Sequence, residues 1–118
     1  MKRDRYIRVP KDNKAMEDYD YGVQKPEQMI EWILNDEEYN ILNILKVFDE
    51  LNNQCEIIID DFEEEVIIFN KLNIANNTIN TLLNNIEVNQ VDNHELLIKL
   101  REMILSAIKR KTLIAFDF

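Results

Sequence analysis

Five carboxylates occupy six consecutive positions of this chain: Asp60, Asp61, Glu63, Glu64 and Glu65. Such a run can dock on a basic protein surface, or imitate phosphate spacing and occupy a nucleic-acid groove. Either association is steered by charge and weakens with salt. The structural alternative is a solvated helix face or hairpin turn, because charged side chains are ordinarily plain surface. A cation site is disfavoured. An EF-hand loop alternates its ligands around a glycine, and this stretch has none. Adjacent residues on a helix also point in different directions, so the run does not converge on one ion.

A second acidic element, EDYDYG, interleaves Asp18 and Asp20 with Tyr19 and Tyr21. Tyrosine offers a large contact area at low entropic cost, which suits an interface. Tyrosine rings equally serve to cover the edge of a core. His94 stands next to Glu95, but position 98 is Ile and the chain has no second histidine, so the zinc-protease pattern is absent. A lone His in a first helical turn reads as surface, with a general-base role as the alternative. Cys55 falls on an apolar stripe and reads as a small core hydrophobe without an adjacent base. Trp32 reads as core before it reads as an interface anchor.

These residues need elements to position them. Residues 1–25 have weak periodicity. RYIRV at 5–9 suits a short strand or an extended arm, and Pro10 then sets a bend. Pro26 suits the first position of a helix, with Met29, Trp32 and Ile33 on one face. Asn35 with Glu38, Asn53 with Glu56, and Asp92 with Glu95 each have capping-box spacing. Ile41, Ile44, Leu45, Phe48 and Leu51 follow a helical period. Residues 55–69 fit two patterns. CEIII and EVIIF resemble two strands, yet Cys55, Ile58, Ile59, Phe62, Val66 and Phe69 share one helical stripe. Phe62 would be exposed in a hairpin turn and central in a helical stripe, so the helix is the expectation.

Asn76 or Asn77 then opens a helix carrying Ile79, Leu82, Leu83 and Ile86. Its other face is rich in Asn and Thr, so packing has to hold it. Leu96, Leu97, Leu100, Met103, Ile104, Ala107 and Ile108 give the cleanest stripe, with Lys109, Arg110 and Lys111 where cations favour the helix dipole. Ile98 and Leu105 lie opposite that stripe. TLIAFDF at 112–118 suits an edge strand or a docking tail.

Composition narrows the function classes. The chain has 118 residues, 46% hydrophobic and 31% charged, which suits a folded domain. One Cys excludes an intrachain disulfide, and one His with one Cys excludes the ordinary zinc sites within one chain. A single glycine, Gly22, leaves no phosphate-cradling loop. No apolar run reaches the roughly 18 residues of a membrane span, and the charged N-terminus does not read as a signal peptide. The formal net charge is −9, unevenly distributed. Residues 1–14 carry six basic and two acidic side chains, residues 15–65 two basic and sixteen acidic, and residues 66–118 six basic and five acidic. A basic arm thus precedes a strongly acidic middle.

The reading that follows is mainly α: a bundle of about five helices over residues 26–118, after a partly ordered arm over residues 1–25. The alternative is α+β, with a hairpin at 55–69 and a strand at 112–118. The expected function is non-catalytic. The chain reads as a small acidic cytoplasmic protein, of the inhibitor, immunity or antagonist kind, that binds a basic site on another protein without cofactor or metal. Its expected contacts are Asp60, Asp61, Glu63, Glu64 and Glu65, with Tyr19 and Tyr21 as anchors. One alternative is a homo-oligomeric or chaperone-like assembly through Ile98, Leu105 and the 112–118 tail. The other, which the acidic middle opposes, is nucleic-acid binding through Lys2, Arg3, Arg5, Arg8 and Lys109–Lys111. No membrane contact is expected.

Overall fold

Arg5–Pro10 alternates side chains between two faces, with Ile7 and Val9 on one and Tyr6 and Arg8 on the other. It forms an interior strand. A computed structural model describes residues 4–85 and 91–118. Its order is β1 (Arg5–Pro10), α1 (Asn13–Asp20), β2 (Met29–Leu34), α2 (Asp36–Ile44), α3 (Val47–Cys55), β3 (Glu64–Ile67), α4 (Leu72–Asn85), α5 (Val91–Arg110) and β4 (Ile114–Asp117). Single 3-10 turns precede β2 and α4. The described strands form one antiparallel sheet in the order β2-β1-β4-β3. Among the described residues the fold is therefore α+β, with five α-helices and a four-stranded sheet, and the expected helical bundle is corrected.

One sheet face carries the main core. Ile7, Val9, Trp32, Leu34, Ile67, Ile114, Phe116 and Phe118 pack there against Leu42, Phe48, Leu51, Ile79, Leu97, Leu100 and Ile104 of α2–α5. Phe118 meets Phe48 at 5.1 Å and Tyr39 at 5.4 Å, ring edge to ring face. Among the described residues the other sheet face carries a smaller apolar cluster of Tyr19, Met29 and Ala115, bordered by Val66 and Leu113 and covered by α1.

Sheet pairing decides three local readings. Residues 5–10 take the strand reading, because β1 lies between β2 and β4. The segment after Pro26 turns once and then extends, so Trp32 and Leu34 enter the core while Ile33 is exposed. Residues 55–69 make neither one helix nor a hairpin. Helix α3 ends at Cys55, Glu56 takes a left-handed φ of 57°, and β3 pairs with β4 instead of with residues 55–59.

The expected continuous helix through Ile41–Leu51 divides at Lys46, which has a left-handed φ of 61°. Asn53 lies inside α3 and Glu56 closes it, so that pair caps no helix start. The Asn35–Glu38 box is formed: Asn35 Oδ1 accepts the Glu38 amide at 2.7 Å and Glu38 Oε1 accepts the Asn35 amide at 3.0 Å. Helix α4 starts at Leu72, ahead of Asn76 and Asn77. Ile86, Lys2 and Arg3 lie outside the described residues, as does the side chain of Asp92. Among the described residues no helix is long and apolar enough to cross a membrane.

Candidate functional site

The acidic run begins in a loop whose backbone is tightly held. Asn52, on α3, grips Ile59 from both sides: its Nδ2 donates to Ile59 O at 3.0 Å and its Oδ1 accepts the Ile59 amide at 2.5 Å. Glu65 accepts the Ile58 amide on Oε2 (3.0 Å) and the Val66 amide on Oε1 (2.9 Å). Asp60 accepts the Asp61 amide at 2.8 Å. Lys71 Nζ donates to Cys55 O at 2.7 Å, satisfying a carbonyl at the open end of α3. On this braced loop Ile58 is 71% exposed and Phe62 is 77% exposed, with Phe62 at a left-handed φ of 65°. Few large side chains occupy that region of backbone space without strain.

The five expected carboxylates have different surroundings. Asp61 accepts both Nε and Nη2 of Arg5 at 3.1 Å, a bidentate pair. Arg5 stacks over the Tyr39 ring at 3.8 Å and donates Nη1 to Asp36 at 3.2 Å. The hydrogen bond from Arg5 to Asp61 is the main reason the guanidinium is held above its ordinary pKa. Glu65 is engaged by the two amides. Glu64 Oε1 lies 2.9 Å from the Tyr19 hydroxyl. Asp60 and Glu63 stand exposed at the surface.

Tyr19 is buried, and its hydroxyl also lies 2.9 Å from Asp117 Oδ1. One phenolic proton therefore faces two carboxylates. Burial first, and then the charges of Asp117 and Glu64, push this phenol far above its ordinary range. Arg8 completes the cluster by pairing with Asp117 and with Glu31, the latter at 2.5 Å, while stacking 4.1 Å over the Tyr6 ring. Burial opposes the Arg8 charge, but the hydrogen bonds to Glu31 and Asp117 outweigh it and raise its pKa. Tyr21, by contrast, is 73% exposed in the turn after α1. The structure thus brings Tyr19 and Glu64 together and sets Tyr21 apart from that contact.

Between α1 and β3 runs a groove of about 700 Å³. Helix α1 contributes Asn13, Met16, Glu17 and Asp20, spaced three, four and seven residues from the first and so on one face. Glu64, Glu65 and Val66 line the facing side, and Leu113 closes it. Among the described residues no lysine or arginine lines it. Met16, Val66 and Leu113, all partly buried, are its aliphatic lining.

The remaining candidates stand elsewhere. His94 is exposed on α5. Cys55 is fully buried, and burial pushes its thiol up, which disfavours the nucleophilic thiolate. Among the described residues no three His, Cys, Asp or Glu side chains gather as metal ligands would. The 112–118 tail lies inside the fold, with Phe116 and Phe118 buried, while Leu105 remains partly exposed. Arg110 is bonded to Ser106 and to Lys11 O, and Arg5 and Arg8 are paired with carboxylates. Sequence reasoning missed Arg5, Arg8 and Asp117 as members of this region. Their partners lie 31 to 109 positions away in the chain, beyond any local spacing signal, except for Glu31 at 23. The groove face of α1 did leave a local signal, the spacing of Asn13, Met16, Glu17 and Asp20.

No family model, no curated protein and no solved structure matches this chain.

Proposed function

We propose that this chain is a non-catalytic acidic interaction protein of the inhibitor, immunity or antagonist kind. It works in the cytoplasm, where its one thiol stays reduced, and binds a basic site on another protein. The observation that carries this reading is the 56–63 loop. Ile58 and Phe62 are both largely exposed beside Asp60 and Glu63, on a backbone braced by Asn52 and Glu65. Exposed apolar surface of this size on a fixed frame suits burial against a partner, and the flanking carboxylates suit a cationic rim around that contact. The net charge of −9 steers the same encounter from a distance.

The test is differential capture from the native host. Wild type is compared with Phe62→Ser combined with Glu63→Lys, and with Ile44→Ser, an exposed apolar site on α2. The expected result is a basic protein retained by wild type and by Ile44→Ser but lost from the loop variant. Its association rate with purified wild type should fall steeply with salt. Identical captured proteins for all three forms would overturn the reading.

A further inference from the structure

We propose that the groove between α1 and β3 receives a lysine side chain from a basic segment of the partner, a deepening that rests on the interaction reading above. The groove has the two parts such a side chain needs. Its aliphatic lining of Met16, Val66 and Leu113 suits the four-methylene stem, and Glu17, Asp20 and Glu64 line the same groove for the ammonium. Lysine and arginine characteristically bury their stems on apolar surface while the charged head stays near water. An aliphatic lining suits the flexible lysine stem. The chain's own Arg5 and Arg8 instead stack on Tyr rings, the planar partner that guanidinium prefers. Charge complementarity makes the occupant cationic, since carboxylates line the groove and, among the described residues, no lysine or arginine does.

The mode of entry also follows from the edge of the sheet. Phe118 donates its amide to Glu63 O at 3.1 Å, and alternation along the antiparallel pair then turns the Val66 amide away from β4, toward the open edge. That amide is already taken by Glu65 Oε1. Glu65 therefore blocks addition of a further strand, and recognition here proceeds through a side chain laid into the groove rather than through backbone pairing.

The experiment uses the full chain, labelled with nitrogen-15, and the probe acetyl-Leu-Lys-Leu-Lys-Leu-amide at 0.15 M salt, roughly physiological. Two further probes replace each lysine by norleucine, which keeps the stem and loses the charge, or by diaminopropionate, which keeps the charge and loses most of the stem. The expected result is amide shifts concentrated at Asn13–Asp20 and Glu64–Val66 with the lysine probe and weak shifts with the other two. Glu17→Gln with Asp20→Asn should weaken that binding about fivefold, as two partly exposed ion pairs would. Asp60→Asn with Glu63→Gln should change it less than about twofold. Shifts confined to the 56–63 loop, equal binding of the diaminopropionate probe, or no binding would each overturn the lysine groove. None of these results depends on the host partner, so the capture experiment can succeed while the groove fails.

Discussion

The two faces of the sheet are built from the same four strands and do opposite things. The inner face is aliphatic and aromatic, and four helices exclude water from it. The outer face has Arg8, Glu31, Asp117, Glu64 and Tyr19 in a ladder of charge-assisted contacts, with one short helix over it. Burial on the inner face is non-directional and scales with area, so it supplies stability. Contacts on the outer face are directional and partly wet, so each contributes less while holding side chains in set positions. The proposed interaction surface borders the polar face, where rigid placement of side chains does not interrupt the core.

The largest expected effect tests the inner face. Phe116→Ala removes a fully buried ring from an interior strand and should cost about 3–5 kcal/mol in urea unfolding. On the outer face Arg8→Met keeps much of the stem but leaves Asp117 and Glu31 without their cation. It should cost about 1–3 kcal/mol, the penalty of unsatisfied, partly buried carboxylates. An Arg8→Met loss equal to that of Phe116→Ala would break the comparison, since the polar ladder would then be as important to folding as the core.

A smaller effect sharpens the comparison at the junction of loop and sheet edge. Glu65→Ala strips the acceptor from the Ile58 and Val66 amides at once. The expected cost is about 1–2 kcal/mol, the sum of two charge-assisted bonds in a partly exposed setting. Hydrogen exchange should quicken at Ile58 and Val66 while the amides of α5 keep their protection. Uniformly faster exchange would mean that the loop brace belongs to the global fold. The variant should also associate more readily through the unblocked edge of β3, which light scattering reads directly.

What was legible in the sequence divides along the same line. The Asn35–Glu38 box and the stripe of Leu97, Leu100, Met103, Ile104 and Ala107 were readable because their partners are three or four positions away. The strands at 5–9, 65–69 and 112–118 were readable only as alternatives, because a short apolar run satisfies both periods and the arbiter is a distant partner. Glu64–Ile67 becomes a strand through Ile114–Asp117, about fifty residues later in the chain. Phe62 misled for a related reason. An aromatic ring on an apolar stripe is expected to be buried, whereas Phe62 is exposed at a positive φ in a loop held by Asn52 and Glu65. The acidic run was legible as composition. Its division into Asp61 on Arg5, Glu64 on Tyr19, Glu65 on backbone amides, and exposed Asp60 and Glu63 depends on side chains that only the tertiary fold assembles.

The smallest effect concerns the one hydroxyl that joins the two neighbouring surfaces. Tyr19→Phe removes the donor facing Glu64 and Asp117 and should cost about 1 kcal/mol near neutral pH. Its pH dependence carries the sharper information. The folded phenol titrates above its ordinary value of 10.0, because burial and two carboxylates oppose the phenolate. Its contribution is therefore complete below pH 10.0 and is lost as pH rises from there toward the folded value. Cys55, also raised by burial, loses stability in the same direction from about pH 9, but it is present in both forms. The gap between wild type and Tyr19→Phe should accordingly stay constant from about pH 6 to about pH 9, below the ordinary phenol value, and narrow above roughly pH 10. Urea titrations at pH 7, 9 and 11, roughly spanning that titration, measure it. A gap that persists unchanged into the alkaline range would show that the hydroxyl is solvated, and the outer face would then be a collection of separate ion pairs instead of one connected ladder.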